Sequence, residues 1–410
     1  MKKQKISQWA FWSALFILSC LLFFLHWKQL HVPNDHYRTP YFSDIFPHFR
    51  SALNSNKNGY TLLFPLIRAF YYGTGENVDG AAFLFSLFLV LCFIASVLLV
   101  RKWYCMVYEK KPGWLVNGLS LSSVMVSMLV SPRLFTGQSR AWYVHTGVSP
   151  NVWHNSTTAL CRPLSIIVVM LIYKIVQAHK NGKPIGKYLW LNVLFATLSM
   201  WAKPSFLMAF LPALCIFLLF ELWDNKEKIK EQFVFSIKVG LSFVPAMGII
   251  LWQYLYLFMQ EKPMAQENPV VSQEASGVSF ALALSLQQIV KLFIFPAGFV
   301  TVAMLLCLIF KMQKKKTWIF TSAWFFVAMF IKCFLLESGK RATDGNFDWP
   351  LSIALFFLFM IYSGELFLKE HKGLNKWKLF CIRFAAVVYS AHLITGILWF
   401  AKILTGRQYG

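Results

Sequence analysis

Long apolar runs alternate with short basic stretches along all 410 residues of the chain. A run of about 20 apolar residues has the length of a bilayer-spanning helix. The pattern predicts such spans at 9–27, 79–100, 113–131, 159–177, 188–202, 204–222, 235–258, 288–310, 318–336, 349–368 and 380–402. The expected fold is an all-α polytopic membrane protein of about eleven transmembrane helices, forming a single integral membrane domain over 1–410. Spans 188–202 and 204–222 close as a tight hairpin on Lys203-Pro204. Between the first two spans, GYTLLFPLIRAFYY (59–72) is too short to cross and reads as re-entrant or interfacial. The N-terminal apolar run is too long for a signal-peptide core and has no small-residue cleavage site after it, which predicts a retained first span.

Just after that span, SDIFPHFRSALN (43–54) carries a different periodicity. Ser43 or Asp44 can cap a helix, and Pro47 is tolerated in the first turn, where backbone donors are unpaired. Ile45, Phe49 and Leu53 recur every four residues beside Phe46 and Ala52, while Asp44, His48, Ser51 and Ser55 fall on the opposite face. The spacing predicts a short amphipathic helix lying in the membrane interface, with Asp44 and His48 adjacent. Asp44 either only starts that helix or faces a cavity as a general base, with His48 or Asp35 close by.

Composition agrees with the span pattern: 57% of positions are hydrophobic and 14% charged. The net charge of +23 would suit nucleic acid, but the Lys and Arg sit in short loops between spans, which points to topology and anionic lipid instead. With the N-terminus cytoplasmic, 24 of the 40 Lys and Arg fall in the tail and in loops 101–111, 174–187, 226–238, 311–316 and 369–383. This places the chain in a plasma (inner) membrane as a multi-pass protein with its unusual residues extracytoplasmic. The eight Cys form no CxxC pair, and Cys20, Cys92, Cys215 and Cys307 lie within apolar runs, so buried thiols are expected rather than disulfides or metal ligands.

The outer segments, 28–78, 132–158, the Lys203-Pro204 turn, 259–287 and 337–348, hold the candidate chemistry. Segment 131–164 crowds together Arg133, Arg140, His145, Asn151, Trp153, His154 and Asn155, broken by Pro132, Gly137, Gly147 and Pro150. Trp153 suits the lipid interface or the apolar face of a sugar ring. Arg162, a few residues into the next span, either holds a lipid phosphate or snorkels to the headgroups. Lys203 anchors its hairpin or contacts a phosphate. ESGKRATDGNFDWP (337–350) reads as a solvated loop or as part of a site, with Lys340 and Arg341 toward phosphate and Asn346 or Asp348 toward sugar. Segment 261–279 reads as a flexible outer loop, a lid or a connector. His31, His36, His48, His145 and His154 lack HxxxH or HExxH spacing, so no metal site is assigned to them. Walker A, GxGxxG and GxSxG motifs are absent from the sequence, which leaves ATP-driven transport and α/β-type hydrolysis without support.

The layout of one span, an outer loop with a carboxylate on a small interfacial helix, then Gly59 and YTLLFPL resembles the GT-C superfamily of membrane glycosyltransferases. The resemblance covers the first outer loop and, more loosely, the overall topology. It implies a polyprenyl-phosphate-linked sugar donor, an envelope glycan or protein acceptor, inversion at the anomeric carbon, and Asp44 as the catalytic carboxylate. No DxD or ExD pair stands there, Asp35 and Asp44 being nine apart, so the pattern neither requires nor excludes a divalent cation. The competing expectation is a transporter or flippase of a lipid-linked or anionic envelope precursor, which calls for charge near mid-bilayer and access from both sides. A surface-polysaccharide polymerase or ligase, which usually clusters its functional residues in a large late outer loop, fits less well, because loop 259–287 is modest and poor in Arg.

Overall fold

The computed structural model describes residues 2–32, 40–41, 43–54, 60–129, 148–151, 153, 155–259, 277–338, 345–370 and 375–406. In chain order the helices are α1 (Lys2–His31), α2 (Ile45–Asn54), α3 (Leu63–Gly73), α4 (Val78–Val107), α5 (Trp114–Ser123), α6 (Ser156–Lys180), α7 (Gly186–Ala202) and α8 (Ser205–Asp224). They are followed by α9 (Ile229–Leu241), α10 (Val244–Met259), α11 (Leu286–Ile294), α12 (Gly298–Ile309), α13 (Lys315–Phe334), α14 (Trp349–Ser363) and α15 (Lys376–Leu404). Among the described residues seven helices are long and apolar enough to cross a membrane, or up to nine if two bent pairs each count as one span. The protein is therefore a helical, multi-pass membrane protein. Large apolar side chains such as Phe16, Leu91, Leu219 and Val387 stand exposed around the bundle, as expected where lipid rather than water is the solvent.

Helix α14 is the axis of the bundle, and every residue from Trp349 to Ser363 is buried. Trp324 of α13 stacks on Phe357 at 5.0 Å, and Phe206 of α8 lies 5.6 Å from the same ring. Each such aromatic pair is worth about 0.5–1.5 kcal/mol beyond the area it buries. The last turn of this helix widens into a π-helix over Gly364–Leu368. A Cβ on Gly364 would stand 2.3 Å from the ring of Tyr108, whose hydroxyl donates to the carbonyl of Ile361 at 3.0 Å.

Three predicted spans depart from single straight helices. In 113–131 the helix stops at Ser123, and no regular element covers 124–129. Backbone with unmade hydrogen bonds is costly at membrane depth unless protein satisfies it, and here the neighbours do so. Ser127 N–H donates to the His392 carbonyl at 3.1 Å, and Leu129 N–H to the Phe295 carbonyl at 2.8 Å. The His392 ring completes the joint, with Nδ1 donating to Ser127 O at 2.7 Å and Nε2 accepting from Phe299 N–H at 3.2 Å. Since a carbonyl only accepts and an amide N–H only donates, those partners fix the neutral Nδ1–H tautomer. Span 288–310 is bent by 77° between α11 and α12, where Pro296 offers no N–H and clashes with the preceding turn. Span 235–258 bends by 42° between α9 and α10, just before Pro245.

The described residues are overwhelmingly helical, as expected, with one local addition, an antiparallel ribbon of β1 (Gly277–Phe280) on β2 (Leu335–Ser338), Val278 opposite Glu337. The end of segment 261–279 is thus a paired strand; residues 261–276 lie outside the described residues. Cysteine burial is corrected. All eight thiols are free, but Cys20 and Cys215 are exposed on the bundle surface. An all-round apolar helix does not reveal which side meets lipid.

The irregular stretch 124–129 passes so close to α15 that a Cβ on Gly396 would stand 1.8 Å from the Met125 carbonyl oxygen. Gly396→Ala is expected to lose about 1–3 kcal/mol of stability, the usual cost of overpacking. Gly248→Ala, where an added Cβ meets nothing within 4 Å, is expected to change little. Thermal unfolding of both variants in detergent checks the pair.

Candidate functional site around Asn155

The amphipathic helix forms as α2, one residue after Asp44, with Ile45, Phe49 and Ala52 buried. Ser43 caps it, its hydroxyl accepting from Ile45 N–H at 3.3 Å. Phe49 stacks on Phe85 of α4 at 5.9 Å, and Arg68 Nε of α3 donates to the Ala52 carbonyl near the helix end at 2.9 Å. These contacts fix α2 against the bundle. They turn its polar face toward the N-terminus of α6.

Asn155 is the N-cap of α6, its Oδ1 accepting from Thr158 N–H at 2.9 Å. The same side chain faces two ways. Its Nδ2 donates to Asp44 Oδ2 at 2.8 Å, while its Oδ1 accepts from Lys203 Nζ at 3.3 Å. Lys203 also donates to Thr157 Oγ1 at 3.1 Å and sits 3.9 Å over the ring of Trp349. One amide therefore spaces a carboxylate from an ammonium at the start of a 25-residue helix, where the helix dipole favours the anion. His48 closes the group, with Nδ1 2.8 Å from Ser156 Oγ. Four distant parts of the chain meet here: the first outer loop, the head of α6, the α7–α8 turn and the head of α14.

Lys203 is held in its turn by its backbone N–H, which donates to Ser199 O at 2.9 Å. The end of α7 is tied to the first loop as well, since Leu62 N–H donates to the Trp201 carbonyl at 3.0 Å. Lys203 is 8% exposed. Burial pushes its pKa down from 10.5 to about 8, with Asp44 pulling the other way. His48 is also held below its ordinary value, chiefly by burial and further by Lys203, against the raising effect of Asp44. At neutral pH the pocket therefore carries a cation at Lys203 beside a neutral imidazole at His48.

The other described sequence candidates make contacts of their own, apart from Asp44. Arg162, one turn below Thr158, donates to Asn151 Oδ1 at 3.1 Å and lies 4.7 Å over Phe356. Asn151 in turn donates to the Val124 carbonyl. Those two side chains brace segment 148–151 and do not touch Asp44. Trp153 is buried between Phe93 at 6.2 Å and Phe400 at 5.0 Å. Asn346 bonds Glu337 of β2 through Nδ2 at 2.8 Å, and Asp348 pairs with Lys332 of α13. Asp35, Arg133, Arg140, His145, His154, Lys340 and Arg341 lie outside the described residues. Among the described residues no three His, Cys, Asp or Glu side chains converge as metal ligands.

Sequence reasoning missed Ser156, Thr157 and Lys332 as contributors. A lysine near the end of an apolar span marks Lys332, because such a charge calls for a partner. Ser156 and Thr157 carry no such mark, since hydroxyls at a helix start are ordinary. No known protein family, curated protein or solved structure matches this chain.

The Lys203 shift gives a stability signature. Between pH 8 and 10.5 the folded protein has released the Lys203 proton while the unfolded chain still holds it. The unfolded state binds more protons there, so stability from this group rises with pH across that window. Below it both states are protonated and the contribution is flat. Wild type is expected to gain thermal stability between those limits relative to Lys203→Met, as followed by unfolding in detergent across the pH range.

Proposed function

We propose that this chain is a membrane glycosyltransferase of the GT-C type, moving a sugar from a polyprenyl-phosphate carrier to a cell-envelope acceptor, with Asp44 as general base. The observation that carries the proposal is the Asp44–Asn155–Lys203 arrangement, a carboxylate and a buried cation held apart by one shared amide. Transfer to a hydroxyl needs both charges at once. The acceptor oxygen attacks the anomeric carbon while its proton passes to Asp44. The bond from that carbon to the carrier phosphate breaks with inversion, and the leaving phosphate takes the electron pair. Lys203 stabilises the charge that develops there. An ion pair in direct contact would neutralise both groups; the amide keeps them separate yet fixed.

In this proposal the bundle crosses the plasma membrane about eleven times, counting the shorter α7 and the interrupted span 113–131 beside the longer helices, with the N-terminus cytoplasmic and Asp44 extracytoplasmic. Supporting this sense are the basic loops, which meet at the end of the bundle remote from Asp44, where Lys110 pairs with Glu370 and Lys316 with Glu221. His48, on the next turn of α2, is the described neighbour of the base, and Asp35 remains a candidate from sequence alone. Arg133, Arg140, His145, His154, Lys340 and Arg341 remain candidates by sequence, from the segments 132–158 and 337–348. A divalent cation is not assigned to the step.

One observation favours a carrier of lipid-linked precursors instead. The interrupted helices α5 and α11–α12, joined through His392, are the kind of broken helix that transporters use near the bilayer midplane. Those buried groups bond one another, however, whereas at Asp44 no described residue bonds the second carboxylate oxygen, Oδ1.

Asp44→Asn keeps size and shape but removes the base. In liposomes supplied with a polyprenyl-phosphate hexose and acceptor, the variant is expected to insert normally and lose about 10²–10⁴-fold in transfer. Wild-type transfer by that variant, or movement of the donor across the bilayer without transfer, would overturn the proposal.

A further inference from the structure

A cavity of about 860 Å³ opens at the basic end of the bundle, between α4, α6, α8, α13 and α14, and it is lined by neither Asp44 nor Lys203. Its wall is apolar, formed by residues such as Val169, Ile172, Leu214 and Phe217. Its mouth carries Lys110, Lys180, Lys314, Lys315, Lys316 and Lys369. From Lys180 to Val169 along α6 is about 16 Å at 1.5 Å per residue, roughly one leaflet of a 30 Å hydrocarbon core.

The charges at the mouth are unevenly matched. Lys316 pairs with Glu221 at 3.0 Å and Asp224 at 2.9 Å, and Lys180 lies 3.8 Å from Glu221. Lys110 pairs with Glu370 at 2.7 Å and Lys369 with Glu365 at 3.0 Å. Lys314 and Lys315, both exposed, have no carboxylate within ion-pair distance among the described residues. Lys315 lies 5.1 Å over the Phe220 ring and near Asp224. Glu109 is the remaining carboxylate on the lining.

We infer that this cleft is a binding site for an anionic glycerophospholipid, one acyl chain lying between α6 and α8 and the headgroup phosphate on Lys314 and Lys315. An apolar slot one leaflet deep suits a chain, and two unmatched cations at its mouth suit a phosphodiester with no compensating amine. A zwitterionic headgroup brings its own cation and gains less from them. The site does not depend on the catalytic proposal, because it lies at the other end of the bundle.

The test is native mass spectrometry on the full-length protein in detergent, titrated with dioleoylphosphatidylglycerol, dioleoylphosphatidylcholine or inorganic phosphate. Phosphatidylglycerol is expected to fill one saturable site at least tenfold more tightly than phosphatidylcholine. With about 1 kcal/mol for each lysine near an anionic headgroup, Lys314→Gln/Lys315→Gln should weaken phosphatidylglycerol roughly 30-fold and leave phosphatidylcholine unchanged. Lys3→Gln/Lys5→Gln, which removes basic charge away from the cleft, should have little effect. Equal binding of the two lipids, equal loss in both double variants, or displacement of phosphatidylglycerol by inorganic phosphate at comparable concentration would each overturn the site. If the cleft variant fails to fold, the wild-type lipid ratio and the phosphate competition decide between the same outcomes.

Discussion

An ammonium buried among helices has to be matched by acceptors, and in this protein Asn155 supplies the match. Its carbonyl oxygen takes Lys203 while its nitrogen grips Asp44. Hydrogen bonds to charged groups are worth about 1.5–3 kcal/mol, and removing one partner exposes the desolvation cost of the other. The buried Lys203 ammonium is costly at this depth without such partners. Placing both on one amide ties the first outer loop to the α7–α8 turn and fixes the head of α6 between them. Trp349, beneath Lys203 at 3.9 Å, extends the tie to the central helix.

The remainder of the bundle is organised so that this polar group can exist. Helix α14, buried throughout, presents Trp349 at one end and the π-turn at the other. The interrupted segments bond their polar backbone to one another through His392 and the carbonyls of Ser127 and Phe295. Charge is then concentrated at the two ends. One end holds a carboxylate and a cation spaced by an amide; the other holds lysines in partial excess over carboxylates around an apolar cleft. Such segregation suits the two proposals, transfer from an anionic lipid-borne donor at one end and binding of an anionic lipid at the other.

Much of this was legible in the sequence. The long apolar runs located the helices because length and hydropathy are local properties. The four-residue spacing of Ile45, Phe49 and Leu53 located α2 and brought Asp44 and His48 together. Lys203 was conspicuous as a charge between two apolar spans. Span 288–310 read as one crossing, because a window of mean hydropathy does not separate one straight span from two halves at 77° about Pro296. The end of α5 was less visible, because what replaces its helical hydrogen bonds comes from His392 and Phe295, far along the chain. The double role of Asn155 was hidden for the same reason. A residue before Ser-Thr-Thr reads as a cap, and its second face acquires meaning only when Asp44 and Lys203 arrive from elsewhere. The β1–β2 ribbon, four residues on each side, was too short to register as a pattern.

The most direct test of the central claim is a double-mutant cycle on stability between Asp44→Asn and Lys203→Met, measured by thermal unfolding in detergent at neutral pH. A shared amide and opposite charges predict a coupling free energy of about 0.5–3 kcal/mol between the two positions. Additive losses, agreeing within about 0.3–0.5 kcal/mol, would mean that residues 44 and 203 do not form one unit and would contradict the account.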